Sequence, residues 1–119
     1  MALYLLGVRN EQNLPQPGTE WYLRTSFIIN LMKFFYIYVL YNSSKNFIYI
    51  GYSENLKERV LKHNSGQVRS TESYSPLVLI FYEAYRTKSD AKRREVHLKS
   101  NKGRTTLRTM LKDYFDQEK

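Results

Sequence analysis

The first dense apolar segment of the chain is Phe34–Tyr41, in which nearly every residue is aromatic or β-branched. Residues of these types are typical of β-strands, so we expect a strand here. The turn-forming segment Asn42–Asn46 separates it from a shorter apolar run, Phe47–Gly51, and the two runs predict a β-hairpin. A third strand is expected at Leu77–Tyr82, directly after Pro76.

Helical spacing appears between the second and third strands. Leu56, Val60 and Leu61 recur at helical intervals. Ser53 is a good N-cap for this helix, and Asn64–Gly66 is expected to end it.

Two further helices are predicted after the third strand. One begins at Thr87, three residues before Asp90 as in a capping box, and runs through about Lys99. Asn101–Gly103 is expected to break it, and Thr105–Phe115 is predicted to form the last helix. The order strand, strand, helix, strand, helix, helix predicts an α/β protein of the α+β type, in which helices pack on a small sheet.

The composition narrows the classes of function. A chain of 119 residues, 42% of them hydrophobic, suffices for one packed domain. The lack of cysteine excludes a disulfide scaffold, a thiol nucleophile and a thiolate metal site, and two histidines are too few for a histidine-rich zinc centre. The net charge of +8 predicts a polyanionic partner.

Neither export nor membrane insertion is predicted. The most apolar stretch, Phe27–Tyr41, is interrupted by Asn30 and Lys33 and is shorter than the roughly 20 apolar residues of a spanning helix. The first residues lack the basic start and the apolar run of a signal peptide. We therefore expect a cytoplasmic protein that does not enter a membrane.

The charge divides the chain in two. Residues 1–31 contain as many acidic as basic groups, so the whole excess of +8 lies in residues 32–119. The first segment also shows no sustained period of 2 or 3.6. We interpret residues 1–31 as an N-terminal extension, poorly ordered or loosely docked, and residues 32–119 as the functional domain. A sharper alternative is that translation starts at Met32.

A polar stripe is predicted on the first helix of the basic domain. Asn55, Arg59 and His63 lie four residues apart and share one face. The stripe begins just after Gly51, at the end of the second strand. A solvated helix face is the ordinary interpretation of such a stripe. A functional interpretation requires other polar groups to converge on it.

Glu95 lies within the apolar stripe of the second helix of this domain, together with Ala91 and Leu98. Burying an unpaired carboxylate is unfavourable, so Glu95 needs a partner. The alternatives are a metal ion and an ion pair with Lys99, Arg94 or Arg59.

Tyrosine is abundant, with 11 residues. Aromatic side chains can simply build the core of a small sheet. A functional interpretation requires their hydroxyls to converge on a common site with Arg59 and Glu95. Four of the tyrosines crowd the predicted hairpin, namely Tyr36, Tyr38, Tyr41 and Tyr49.

Four sequence blocks, in this order, resemble the GIY-YIG endonuclease superfamily, and specifically its small stand-alone members. Tyr36-Ile37-Tyr38 looks like the first triplet with its glycine replaced, and Tyr49-Ile50-Gly51 matches the second triplet. Leu56–Gly66 and Ala91–Glu95 are similar to the segments with the family's arginine and its metal-binding glutamate. The resemblance covers Phe35 to about Asp113 and implies a small three-stranded antiparallel sheet flanked by helices.

The family's activity is divalent-metal-dependent cleavage of phosphodiester bonds, and the resemblance implies catalytic roles for single residues. Tyr49 would deprotonate or orient the attacking water, which requires a nearby cation because the pKa of a phenol is near 10. Arg59 would supply that cation and bind the scissile phosphate, and Tyr38 would hydrogen-bond the phosphate or the water. Glu95 would hold one Mg²⁺ or Mn²⁺, and His63 matches a position near this site. We expect Tyr38, Tyr49, Arg59 and Glu95 to line one concave surface.

Three residues depart from the family pattern. Tyr36 stands where the first triplet has glycine. Tyr52 stands where members such as the excision-repair incision nucleases have a lysine, so one cation near the base is missing. Leu107 lies at about the spacing of the downstream asparagine of those members, with Asn101 as a substitute of no established role.

Basic residues surround the proposed site in sequence and predict contacts with nucleic-acid phosphates, which give affinity without reading the base sequence. We expect a Mg²⁺- or Mn²⁺-dependent DNA endonuclease, structure-selective or weakly sequence-specific, without a small-molecule cofactor. One alternative is a catalytically weak or inactive nucleic-acid-binding module of the same fold, and another is an interaction protein with neither activity. The proposed nucleic-acid-binding residues are Lys57, Lys62, Arg69, Lys92, Arg93, Lys99, Lys102 and Arg104.

Overall fold

The computed structural model describes residues 16–119, and the chain divides into two compact units, residues 1–33 and residues 34–119. In the first unit, helix α1 spans Glu20–Leu31. Thr19 caps its N-terminus, because Thr19 Oγ1 accepts a hydrogen bond from the backbone N–H of Tyr22 at 3.3 Å. The rest of the predicted N-terminal extension, residues 1–15, lies outside the described residues.

The hydrophobic pattern does not predict helix α1. Its apolar residues are spread around the helix, and Trp21, Leu23, Phe27 and Ile28 are all more than half exposed. Without an apolar stripe on one side, the period that normally reveals a helix is absent. Within residues 16–119, no helix is both long enough and apolar enough to cross a membrane.

The second unit contains the predicted order of strands and helices. Three strands form one sheet, and the helices follow the second and third strands. The elements are β1 (Phe35–Asn42), β2 (Phe47–Ser53), α2 (Leu56–Asn64), a 3₁₀ turn (Glu72–Tyr74), β3 (Val78–Tyr85), α3 (Lys88–Lys99), α4 (Asn101–Met110) and α5 (Lys112–Gln117).

The sheet is antiparallel and has the strand order β2–β1–β3, which confirms the predicted fold class. The central strand β1 places Tyr38 opposite Gly51 of β2 and opposite Tyr82 of β3. Every residue of β1 from Ile37 to Asn42 is buried, as expected for a strand with neighbours on both edges and helices on both faces.

The two faces of the sheet have separate cores, because successive side chains of a strand point to opposite faces. On one face, Ile37 and Val39 pack with Ile50 and with Ala91 and Leu98 of α3. We call this the α3 face. On the other face, which we call the α2 face, Tyr38 and Leu40 are buried beside Tyr49, Leu56 and Val60. The helices therefore flank the sheet on both sides.

Two predicted helix boundaries are wrong. Asn55, rather than Ser53, is the N-cap of α2, and its Oδ1 accepts a hydrogen bond from the backbone N–H of Glu58 at 3.2 Å. The break after α3 falls at Ser100, the N-cap of α4, so Gly103 lies inside a helix. An added Cβ at Gly103 would overlap the carbonyl oxygen of His97, so this glycine serves close packing rather than helix termination.

The predicted last helix is also two helices. The segment expected at Thr105–Phe115 is divided at Leu111 between α4 and α5. Leu107 is fully buried, whereas Met110 is 46% exposed.

Candidate active site

Tyr38 and His63 form the buried centre of the candidate site. Both side chains are fully buried, and the Tyr38 hydroxyl lies 2.8 Å from His63 Nε2. Tyr38 reaches His63 because β1 presents it to the α2 face, and His63 is the buried residue of α2. One residue of the polar stripe predicted on this helix, His63, therefore faces the sheet.

Gly51 makes room for the ring of Tyr38. A Cβ at position 51 would lie 2.5 Å from the Cζ and hydroxyl oxygen of Tyr38 and 2.8 Å from Cε1 of Tyr49. The glycine of the second triplet is thus required by a close approach of two tyrosine rings.

Arg59 joins the two tyrosines. Its Nε donates a hydrogen bond to the Tyr38 hydroxyl at 3.4 Å. The hydrogen bond with Tyr38 and the weaker interactions with Tyr49 raise the pKa of the Arg59 guanidinium, so it remains a cation. Arg59 is partly exposed, which leaves the guanidinium accessible to a phosphate.

Tyr49 completes the cluster from the edge strand β2. Its ring centroid lies 4.8 Å from that of His63 and 6.2 Å from that of Tyr38. Tyr49 is only partly buried, in contrast to Tyr38. The structure therefore brings together four of the five predicted catalytic residues, namely Tyr38, Tyr49, Arg59 and His63.

Burial shifts the pKa values of both Tyr38 and His63. Burial raises the pKa of Tyr38 to about 12, although the hydrogen bond from Arg59 acts in the opposite direction. Burial, together with the charge of Arg59, lowers the pKa of His63 to about 4. At neutral pH, Tyr38 is therefore a neutral phenol and His63 a neutral imidazole.

Glu95 does not join this cluster, so the expectation that Tyr38, Tyr49, Arg59 and Glu95 line one concave surface is wrong. It lies on α3, which packs against the α3 face, whereas Tyr38 and Tyr49 point to the α2 face. The reason is the alternation of side chains along β1 and β2. Tyr52 of β2 packs on the α3 face. Its pKa is raised first by burial, then by Glu54, and then by the charge of Glu95.

Two lysines pair with the Glu95 carboxylate. Lys92 Nζ lies 2.9 Å from Oε1, and Lys99 Nζ lies 3.1 Å from Oε2. Of the partners expected from the sequence, Lys99 is confirmed, whereas Arg94 instead pairs with Glu83 at 2.8 Å. Burial acts to raise the pKa of Glu95, but the hydrogen bonds from the two lysines outweigh it and the pKa is lowered. The buried carboxylate is thus ionised.

Glu95 can supply one carboxylate ligand to a divalent cation whose other ligands are oxygens of water and substrate. The part of the chain that the structure describes contains no group of three or more histidine, aspartate or glutamate side chains able to enclose a metal. Mg²⁺ in phosphate-processing sites commonly uses one or two carboxylates together with water and substrate phosphates. An ionised Glu95 meets that requirement once Lys92 or Lys99 releases an oxygen.

Tyr52 occupies the position at which members such as the excision-repair incision nucleases have a lysine. Its hydroxyl donates a hydrogen bond to Oε2 of Glu54 at 3.2 Å, and its ring lies 4.8 Å from Lys92 Nζ. Lys88 Nζ lies 6.0 Å from the same ring. A cation is therefore present near this position, although it comes from α3 rather than from β2.

An open groove of about 330 Å³ extends from Tyr52 to α2. Asn55, Arg59 and Lys62 line it, together with Glu54 and other polar residues. The groove therefore connects Arg59 of the tyrosine cluster with Tyr52 near the end of β2. Sequence reasoning did not identify this groove, because it depends on the spacing between β2 and α2.

The eight proposed nucleic-acid-binding residues are all exposed. Four of them form ion pairs: Lys62 pairs with Glu58, Arg93 with Asp90, and both Lys92 and Lys99 with Glu95. Within residues 16–119, the other four form no ion pair within 4 Å, so they can bind phosphates without breaking an ion pair. These four are Lys57, Arg69, Lys102 and Arg104.

Sequence reasoning missed one residue of the cluster, Thr71. It lies in the loop between α2 and β3 and is fully buried, and its Oγ1 is 2.7 Å from His63 Nδ1. A threonine in a polar loop has no distinctive spacing, so the sequence contained no signal for this contact.

Several known proteins are similar in sequence to this chain. A UPF0213 protein of Staphylococcus haemolyticus is 35% identical over 66 residues, which are 55% of this chain and 79% of the relative. A UPF0213 protein of Pediococcus acidilactici is 35% identical over 77 residues, 62% of this chain and 78% of the relative. A UPF0213 protein of Staphylococcus aureus is 35% identical over 74 residues, 61% of this chain and 89% of the relative.

No solved structure gives a significant match. The family model described as the GIY-YIG catalytic domain matches residues 34–108, which include both triplets, Arg59, His63 and Glu95. That match covers more than half of the chain and nearly all of the second unit up to the end of α4. The chain therefore belongs to the GIY-YIG catalytic domain family.

Proposed function

We propose that this protein is a divalent-metal-dependent endonuclease that hydrolyses phosphodiester bonds in DNA, with selectivity for DNA structure or with weak sequence specificity. The GIY-YIG domain implies nuclease activity in general. The observation that supports the proposal most directly is the convergence of Tyr38 and Tyr49 on the Arg59 guanidinium, next to His63.

Arg59 is the proposed phosphate-binding residue. Its guanidinium is held by Tyr38 on one side and is partly exposed at the groove on the other. A fixed guanidinium next to a phosphate stabilises the charge that develops on the phosphate oxygens during hydrolysis. The raised pKa of Arg59 favours this cationic state.

Tyr49 is the proposed base or orienting group for the attacking water. Tyr38 is unsuited to that role because its pKa is raised to about 12 and its hydroxyl contacts His63. Tyr49 is partly exposed, so water can reach its ring, and the Arg59 guanidinium lies beside it. In this role Tyr49 acts as a phenolate and takes a proton from the water. The water oxygen bonds to phosphorus, the bond to the leaving oxygen breaks, and the leaving oxygen takes a proton from solvent. Tyr38 accepts a hydrogen bond from Arg59 and thereby positions the guanidinium that binds the phosphate.

Glu95 is the proposed ligand of one Mg²⁺ or Mn²⁺. When bound, the metal would supply positive charge for the leaving oxygen. Lys92 and Lys99 can turn to substrate phosphates when they leave the carboxylate, because both ammonium groups are about half exposed. This exchange would make nucleic-acid binding and metal binding support each other.

A direct assay tests the proposal. Purified protein is incubated with end-labelled branched, single-stranded and duplex DNA, and with duplex RNA, in the presence of Mg²⁺, Mn²⁺ or a chelator. We expect metal-dependent cleavage of DNA, with the branched substrate cut fastest, and loss of cleavage in Tyr49→Phe. Cleavage of RNA but not of DNA would overturn the substrate assignment, and unchanged cleavage by Tyr49→Phe would overturn the role of Tyr49.

One structural observation favours the alternative, a nucleic-acid-binding module with weak or no catalysis. Both oxygens of Glu95 are paired with lysines, and Glu95 lies on the opposite face of the sheet from Tyr49. Salt-sensitive DNA binding without cleavage by either metal would support this module over the enzyme. Tyr52→Lys, which restores the cation of the family pattern, is then the first variant to assay.

A further inference from the structure

The side chain of Thr71 contacts the candidate site at His63. It is fully buried, and its Oγ1 lies 2.7 Å from Nδ1 of His63, whose Nε2 in turn lies 2.8 Å from the Tyr38 hydroxyl. The loop holds Thr71 in place through its backbone N–H, which donates to the Val68 carbonyl at 3.1 Å, and its carbonyl, which accepts from the N–H of Tyr74 at 2.9 Å. The threonine is therefore a fixed part of the wall around His63.

One assignment of donors and acceptors satisfies the hydrogen bonds of all these groups. Thr71 Oγ1 lies 3.4 Å from the Val68 carbonyl oxygen, which can only accept, so the threonine hydroxyl donates there. Oγ1 then accepts from His63 Nδ1–H, and the unprotonated Nε2 accepts from the Tyr38 hydroxyl. The Tyr38 oxygen accepts from Nε of Arg59. In this arrangement every polar hydrogen of the chain of contacts has an acceptor, as buried polar groups require.

We propose that Thr71 is a positioning residue that holds His63 in the Nδ1–H tautomer and thereby makes Tyr38 a hydrogen-bond donor to His63. The imidazole has one proton to place, and the neighbour of Nδ1 decides which nitrogen bears it. His63 is neutral, because burial and the charge of Arg59 lower its pKa to about 4, so a tautomer is defined at neutral pH.

The tautomer has a consequence for the tyrosine cluster. With its hydrogen directed to His63, Tyr38 presents oxygen lone pairs toward the Arg59 guanidinium. In the opposite tautomer, Nε2–H would donate to Tyr38, and the phenol hydrogen would be directed elsewhere. The importance of Thr71 for catalysis rests on the proposed nuclease function, whereas the tautomer of His63 does not.

The tautomer can be measured without any enzymatic assay. Long-range proton–nitrogen NMR spectra of ¹⁵N-labelled protein at neutral pH separate protonated from unprotonated ring nitrogens, and His97→Gln assigns the two histidines. We expect the Nδ1–H form of His63 in the parent protein and in Thr71→Ser, which keeps the hydroxyl. Thr71→Val, which has a similar shape but no hydroxyl, should show a mixture of tautomers or the Nε2–H form.

Two results would overturn the positioning role: an Nε2–H tautomer in the parent protein, or an unchanged tautomer in folded Thr71→Val. If Thr71→Val does not fold, the spectra of the parent and of Thr71→Ser decide, since both must show Nδ1–H. In the cleavage assay, Thr71→Val should lower kcat on the order of 10-fold with KM nearly unchanged, and Thr71→Ser should restore it. Absence of cleavage in the parent protein, with the expected tautomer, would count against the nuclease and not against the role of Thr71.

Discussion

The phenol ring of Tyr38 lies against Gly51 on the neighbouring strand, so closely that an added Cβ would come within 2.5 Å of the hydroxyl oxygen. The two residues are direct partners in the β1–β2 register. The glycine of the second triplet and the second tyrosine of the first triplet therefore form a single packing unit. This contact explains why the two triplets occur together in one hairpin.

Gly51→Ala should destabilise the protein by about 1–3 kcal/mol, because the fully buried ring of Tyr38 has no free space to move into. Denaturant unfolding measures the loss. In a Tyr38→Ala background the same substitution should cost clearly less, because the closest clashing group is gone. Equal costs in the two backgrounds would show that the contact does not determine the need for glycine.

The stability of the protein should fall as the pH is lowered from about 6.5 to about 4. His63 is fully buried with a pKa of about 4, so in this range the unfolded chain binds the proton and the folded protein does not. Stability is therefore complete above the unfolded pKa and decreases by about 3 kcal/mol as the pH approaches the folded pKa. The measurement is the difference in unfolding free energy between the parent and His63→Gln over this range.

His97→Gln is the matched control for the pH experiment, since His97 is exposed. Other groups titrate near pH 4, and they do so equally in the parent and in both variants. A pH dependence that is the same in the parent and in His63→Gln would contradict the neutral, buried state of His63.

Arg59→Ala should weaken both DNA binding and cleavage, because this guanidinium is assigned to the phosphate in the ground state and in the transition state. Arg59→Lys keeps the charge but loses the planar donor to Tyr38, and should retain binding better than cleavage. Binding measured by fluorescence anisotropy and cleavage measured on the same substrate separate the two effects. Full cleavage activity in Arg59→Ala would remove it from the site.

Glu95→Gln should abolish metal-dependent cleavage and leave DNA affinity unchanged or slightly higher, because a negative charge near phosphate is lost. Lys92 and Lys99 also lose their common partner in this variant and become available to phosphates. Asp116→Asn on α5 is the matched control, because Asp116 also pairs with two lysines, Lys112 and Lys119, but does not line the groove. If Glu95→Gln cleaves like the parent, the metal assignment is wrong.

A chain that starts at Met32 should keep the fold and the DNA affinity of the full chain. We propose that residues 32–119 are the functional domain, because the excess of basic charge and both triplets lie there. Circular dichroism, thermal unfolding and anisotropy compare the two chains. A melting temperature far below that of the full chain would mean that the first 31 residues pack as part of the domain.

The sequence was sufficient for the sheet and for most of the cluster, because strands of aromatic and β-branched residues leave little ambiguity. Arg59 and His63 follow from helical spacing, and Thr87 was correctly predicted to cap α3. Helix α1 was missed because its apolar residues form no stripe, and Gly103 was misinterpreted as a helix breaker although it permits contact with α3.

The position of Glu95 could not be obtained from periodicity alone. Its stripe with Ala91 and Leu98 correctly predicted that it faces the sheet, but not which face of the sheet. That choice depends on how the chain crosses after β3, which the spacing of residues within one helix does not encode. The polyanionic partner and the cytoplasmic location stay predictions.

Because the strand order is β2–β1–β3, the backbones of the two tyrosines of the site differ in strand pairing. Tyr38 is on the central strand, and its backbone is held by hydrogen-bonded ladders on both sides, whereas Tyr49 is on an edge strand with one ladder. Edge strands open locally at a lower free energy than central ones. We therefore expect fraying of β2, rather than of β1, to be the local motion that separates Tyr49 from Arg59.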